Sequence, residues 1–344
     1  MNTVEPSAAF DMANAERKAK GLEPYRNVVV FGNPPFSGRT PEGKRIDRMD
    51  RQMANKCAAD PRVTDIFYLT PRIGIPKEFI PSLVSAKVTT DSFDMDIDQS
   101  GLSMWHWQRG YKGLCELTDA AGVPAPVDLS GFDFLPLFHQ HAEAARSVFS
   151  TVPKSRLYQS WFGTVENTNN DSSFKGSAGD DNNFHCWVLG KRGERIRVRI
   201  CDDEIVYLRK EFIDENLISR LKLFIPGGGS GGREGTGRVF HAGRGDVIRA
   251  GDLLIFISDD EQETERFAQY FTSTPVQYLI HILADGQNVT QKLFRLIPKP
   301  DLTQPQSNSD IYPCWGWSDE LIHHAENTKL VRSIAKFDGP DKQS

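Results

Sequence analysis

Asn27-Val28-Val29-Val30-Phe31-Gly32-Asn33-Pro34-Pro35-Phe36 is the stretch on which the fold turns. Its β-branched core reads as a short buried strand. Two consecutive prolines end it, because neither can donate to a sheet ladder. Beyond the turn, Ile46, Met49, Met53, Ala54 and Cys57 recur at helical spacing and predict an amphipathic helix over residues 44–58. Asp60-Pro61 stops that helix. Val63 to Leu69 then predicts a second strand, closed by Thr70-Pro71. Strand, loop, helix and strand make one βαβ unit, for which adjacent parallel strands and a right-handed crossover are expected.

Outward from this unit the chain reads as a mixed α/β protein. Residues 1–26 are a polar arm, and residues 27–155 an α/β domain with a parallel-sheet core. Residues 156–300 form a β-rich, barrel-like domain, and residues 301–344 a tail with a helix over 319–335. Within the first domain, helices are expected near residues 108–121 and 137–149. Asp94, Asp96 and Asp98 suit the acidic face of an edge strand. From residue 184 strands dominate, at 186–189, 196–200, 204–208, 220–225, 253–257 and 276–283, with helices at 209–217 and 262–271. Residues 227–237 (GGGSGGREGTG) read as a flexible connector.

Composition narrows the function classes. The chain has 344 residues, 39% hydrophobic and 25% charged, enough apolar material for packed cores. Its formal net charge of -5 excludes a basic footprint over the whole surface, so any nucleic-acid contact must come from a local patch. The cysteines Cys57, Cys115, Cys186, Cys201 and Cys314 show no CxxC spacing, which removes zinc ribbons and thioredoxin-type redox sites. Reduced thiols, no apolar leader and no membrane-length apolar run point to a soluble, cytoplasmic protein. An EF-hand at Asp94 is excluded by Gln99 and Trp105 at its sixth and twelfth positions. A P-loop at Gly232 and Gly237 is excluded by Arg238-Val239. The histidines, among them His139 and His141, have no local carboxylate or cysteine partner that would suggest a metal.

Asn33-Pro34-Pro35-Phe36, directly after a strand and before a helix, resembles the NPPF motif of S-adenosylmethionine-dependent N6-adenine methyltransferases. The exocyclic amine of adenine is a poor nucleophile, and its hydrogens must be accepted while it is held in line with the methyl donor. The resemblance implies that the Asn33 side-chain oxygen and the Pro34 carbonyl are those acceptors. It implies that Phe36 stacks on an extruded base and that S-adenosylmethionine is the cofactor. The glycine-rich turn that binds the cofactor in that family has no counterpart in residues 1–26.

Two further resemblances are weaker. The βαβ unit, with Arg45, Arg48 and Arg51 on its expected helix, is similar to the first unit of GT-B glycosyltransferases. Residues 204–217 (EIVYLRKEFIDENL), followed by Arg249-Ala250-Gly251-Asp252 and a hydrophobic strand, resemble B3-type DNA-binding pseudobarrels over residues 195–283. There Lys191, Arg192, Arg195, Arg197 and Arg199 would meet phosphates. The expectation is a nucleic-acid-directed protein with DNA or RNA as partner, of S-adenosylmethionine-dependent N6-adenine methyltransferase type. The alternatives are a non-enzymatic structural or interaction protein, such as a viral or phage component, in which NPPF is a stiff turn, or a DNA-binding module of a restriction-type system; a GT-B-like glycosyltransferase fragment is the third.

Overall fold

The computed structural model describes residues 6–34, 37–39, 45–47, 49–89, 102–153, 166–167, 195–199, 205–209, 219–225, 237–244, 253–283, 297–330 and 332–336. The chain divides into two compact units, Met1–Ala142 and Glu143–Ser344. The expected strand at 186–189, the helix at 209–217, the aspartates 94, 96 and 98 and most of the 227–237 connector lie outside the described residues.

The first unit runs α1 (Pro6–Ala19), β1 (Val28–Gly32), β2 (Ser37–Arg39), β3 (Arg45–Asp47), α2 (Met49–Ala59), β4 (Val63–Pro71), β5 (Leu83–Thr89), β6 (Leu102–Gln108), β7 (Cys115–Thr118) and β8 (Pro124–Val127). Two 3-10 turns, Arg72–Gly74 and Lys77–Ser82, join β4 to β5. The expected βαβ unit is present: β1 and β4 are adjacent and parallel, and α2 packs on β4 through buried Ala54 and Cys57. The Cys57 Sγ lies 3.5 Å from the Tyr68 hydroxyl. The crossover also holds a small ribbon, β2 paired antiparallel with β3. It takes Arg45 out of the helix, which starts at Met49 rather than residue 44, so the helix-borne arginine series of the glycosyltransferase likeness does not form.

The core sheet is mixed, not parallel. Its order is β1-β4-β6-β5-β7-β8. Only β1/β4 and β5/β7 are parallel; β4/β6, β5/β6 and β7/β8 are antiparallel. β1 is an edge strand and is not buried: Val29 is 46% and Phe31 73% exposed. A continuous apolar run does not by itself reveal how many neighbours a strand has. The helix expected over 108–121 is a turn followed by β7, because Gly110 takes φ +74° and Cys115–Thr118 alternates buried and open.

One face of this sheet is closed. Ile66, Tyr68 and Thr70 of β4, Trp105 and Trp107 of β6, and Ala86 and Val88 of β5 all point into the core. Phe79 stacks on Trp107 at 4.8 Å, and the Trp105 indole donates to the Thr70 hydroxyl at 2.9 Å. Arg109 donates to the carbonyls of Ala58, Asp60 and Val63, satisfying acceptors left open where α2 ends. The helix α3 (His139–Thr151) matches the one expected over 137–149.

The second unit holds β9 (Glu166–Asn167), β10 (Arg195–Arg199), β11 (Ile205–Arg209), β12 (Leu221–Ile225), β13 (Gly237–Ala242), β14 (Leu253–Ser258), α4 (Glu261–Phe271), α5 (Thr274–Leu283), α6 (Asn308–Cys314), α7 (Asp319–Asn327) and β15 (Arg332–Lys336). Its sheet runs β15-β13-β12-β14-β9, and β10 pairs with β11 as a separate ribbon. Among the described residues the barrel-like expectation is not met: this sheet has the order given, with β15 and β9 at its edges and no closure between them. The expected strand over 276–283 is the helix α5. Its β-branched content suggested a strand, but a helix buried on every side carries no polar stripe to betray its period. Asp260 caps α4 by accepting from the Gln262 and Glu263 amides, and Phe267 stacks on Phe256 of β14 at 4.3 Å. The tail helix ends at Asn327, and β15 follows it to pair in parallel with β13.

Candidate nucleic-acid interface

Residues of a strand alternate between the two faces of its sheet. With the core face taken by Ile66, Tyr68, Trp105, Trp107, Ala86 and Val88, the opposite face must be built from the residues between them. These are Asp65, Phe67 and Leu69 of β4, Met104, His106 and Gln108 of β6, Ser85 and Lys87 of β5, and Glu116 and Thr118 of β7. A solvated face would be polar throughout. Here three aromatic rings stand in one row. Phe31 of β1 pairs in register with Phe67, and Phe67 with His106. The Phe31 and Phe67 rings stack at 4.8 Å and 10°, and Phe67 and His106 at 3.9 Å and 13°.

The column is held in place from one side. Asp65 Oδ1 lies 2.8 Å from His106 Nε2 and accepts from the Gln108 amide at 3.2 Å. Burial raises the Asp65 carboxyl, but the hydrogen bonds from His106, Thr64 and Gln108 outweigh it and hold its pKa below the ordinary carboxylate value. The carboxylate thereby favours the His106 tautomer that carries its proton on Nε2, and fixes the ring plane against Phe67. A cavity of 570 Å³ opens over this face, lined among others by Phe31, Phe67, His106, Ser85, Lys87 and Glu116. Lys87 and Glu116 are exposed and form no ion pair among the described residues.

The residues singled out from sequence fall as follows. Asn33 is exposed just past the carboxyl end of β1, two positions beyond Phe31, and Pro34 is buried. Gly32, immediately before Asn33, lines the cavity. Pro35 and Phe36 lie outside the described residues, as do Lys191 and Arg192. Arg195, Arg197 and Arg199 occupy alternate positions of β10, opposite Arg209, Tyr207 and Ile205 of β11.

Sequence reading missed the aromatic row. Its signal was present: in Ile66-Phe67-Tyr68-Leu69 and Trp105-His106-Trp107 the positions between core residues are themselves aromatic or apolar. A strand facing a core on one side only has no need of that.

Among the described residues no helix is long and apolar enough to cross a membrane, and no cluster of His, Cys, Asp or Glu could hold a metal ion. No family model matches the chain, and no curated protein does. Among solved structures the chain is similar to the type IIG restriction endonuclease BpuSI, with 10% identity and a TM-score of 0.29 over 95% of this chain. The chain spans about half that protein's length, 48% of it. At that level two chains need not share a fold, and no residue of BpuSI is carried over to this one.

Proposed function

We propose that this protein acts on nucleic acid presented as an unpaired strand or an extruded base, with the open face of the six-stranded sheet as its stacking surface. The observation that supports this best is the continuous column Phe31–Phe67–His106 on the face opposite the packed one, running from exposed Phe31 to half-buried Phe67 and His106. Every base has a π-face, so such rings bind bases with little sequence preference, at roughly 1–3 kcal/mol per stack. Lys87 brings a cation to the cavity, and the alternating arginines of β10 offer a second, separate set of phosphate contacts. The test is fluorescence anisotropy with a labelled single strand and its duplex. The single strand should bind more tightly, the affinity should fall steeply with salt, and Phe67→Ala should weaken it. A single strand that does not bind at low salt removes the proposal.

A second reading is favoured by one observation: Asn33 is exposed at the carboxyl end of a parallel βαβ unit, the context of the NPPF motif in N6-adenine methyltransferases. In it Asn33 and the Pro34 carbonyl accept the hydrogens of the adenine amine, and Phe36 stacks on the base. S-adenosylmethionine would supply the methyl group. The described residues offer it no strand, glycine turn and helix: the turn after β1 is the NPPF loop itself, and β4 meets its next neighbour antiparallel. No step through the cofactor is therefore derived. Calorimetry with S-adenosylmethionine tests this reading, and no heat at millimolar cofactor ends it. If heat is seen, Asn33→Ala should abolish transfer of labelled methyl groups to adenine while leaving the fold intact.

A further inference from the structure

We infer that the cavity on the open sheet face is a slot for one nucleobase, stacked on the free face of His106 above Ser85, and that the base it prefers is guanine. This rests on the reading of the protein as nucleic-acid-directed. Across β1, β4, β6, β5 and β7 the residues in register are Phe31, Phe67, His106, Ser85 and Glu116. The first three positions are filled by stacked rings. At the fourth the side chain stops at a hydroxyl. Neighbouring strands lie about 4.8 Å apart, so about 10 Å separates the His106 and Glu116 positions. Bases stack at about 3.4 Å, so one planar ring fits against His106 and leaves room for the Glu116 side chain. The 570 Å³ of the cavity is of nucleotide size.

The gap lies where the ladder is regular: Ser85 to Thr89 pair in step with His106 to Leu102, which puts the short Ser85 side chain opposite His106. The register breaks just beyond it, between Leu83 and Ser85, so that Leu83 and not Val84 stands opposite Trp107.

The polar groups around the gap set the preference. Glu116 offers two acceptor oxygens, and guanine alone among the bases presents two adjacent N–H donors, N1–H and the N2 amine, on one edge. Lys87 suits the guanine O6 and N7 acceptors or a phosphate. Asp65 already holds the His106 ring in the plane of the column, so little ordering is left to be done on binding.

The full chain is titrated calorimetrically with GMP, AMP and CMP, and by anisotropy with a guanine-containing single strand. GMP should bind at least tenfold more tightly than AMP or CMP. Ser85→Phe, which fills the slot, should abolish GMP binding. Glu116→Gln, an isosteric change at an exposed position, should reduce GMP to the level of AMP, and it carries the test if Ser85→Phe does not fold. The inference is overturned if folded Ser85→Phe binds GMP like the wild type, if the three nucleotides bind equally, or if none binds at millimolar concentration. It is also overturned if this face joins two copies of the chain and GMP does not compete. A single strand that binds Ser85→Phe undiminished leaves the nucleic-acid reading standing and removes the slot. GMP held in the slot with no single strand bound upholds the slot and removes the nucleic-acid reading.

Discussion

The two faces of the six-stranded sheet are made by the same strands, one residue out of step, and they obey different rules. On the inner face Tyr68, Trp105 and Trp107 are nearly inaccessible, and the Trp105 indole finds a partner in Thr70. On the outer face aromatic rings are just as closely stacked, but Phe31 is 73% and Met104 52% exposed. Burial explains the first set, since covering an aromatic side chain is a large favourable term. It does not explain the second. Rings kept in contact with each other but not with a core point to a role outside folding, and exposed apolar surface of this kind commonly marks a binding site.

The comparison breaks most visibly at Trp105. Trp105→Ala opens a cavity in the closed face and removes a buried hydrogen bond, and should cost about 3–5 kcal/mol in urea denaturation. Nucleic-acid affinity, measured where the variant is still folded, should change little. Phe67→Ala should reverse the pattern. Phe67 is half-buried, so its loss should cost only about 1 kcal/mol of stability. It removes the middle of the column, and single-strand binding should weaken by about 1–3 kcal/mol. If Phe67→Ala destabilises like Trp105→Ala and leaves binding untouched, the outer rings are core after all.

How much of this was legible in the sequence follows from the same contrast. The βαβ unit could be read because Ala54 and Cys57 recur at helical spacing and Val28–Phe31 and Val63–Leu69 are bounded by prolines; the signals are local. The mixed order of the sheet could not be read. Pairing of β6 between β4 and β5 is a long-range choice that no local spacing encodes. The stretch Val276–Leu283 reads as a strand because full burial erases the periodicity that separates helix from strand. Asn33 stands out as part of a motif. Phe31, two residues before it, reads as core, because an apolar residue in an edge strand looks the same in sequence as one in a central strand. His106, Ser85 and Glu116 come from three strands and share no spacing that would link them.

A smaller effect sharpens the comparison through pH. The inner face has no titrating group among Ile66, Tyr68, Thr70 and Trp105 in the acid range, whereas the outer face has Asp65. The folded pKa of Asp65 lies below its unfolded value. Its stabilising contribution is therefore complete above about pH 4 and is lost as the pH falls through the folded value. Acid denaturation should accordingly be shallower in Asp65→Asn than in the wild type. The difference should be a fraction of a kcal/mol, since Asp65 and His106 are both partly solvated. Equal acid limbs would mean that the Asp65 carboxylate gains no stability from the His106 ring beside it.

The smallest expected effect on stability is at the end of the column. Phe31 stands on the edge strand with one ring face on Phe67 and most of its surface in water. Phe31→Ser removes that single stack and some exposed apolar area, and replaces them with a residue at ease on a solvated strand edge. The change in unfolding free energy should stay within about 0.5 kcal/mol, the usual range for surface substitutions. The same substitution shortens the column from three rings to two, so single-strand binding should weaken, though by less than with Phe67→Ala, which leaves the remaining rings separated. A stability loss of several kcal/mol at Phe31 would show that β1 is packed like an interior strand in solution. A variant that keeps both its stability and its affinity would confine the binding surface to Phe67, His106 and the strands beyond them.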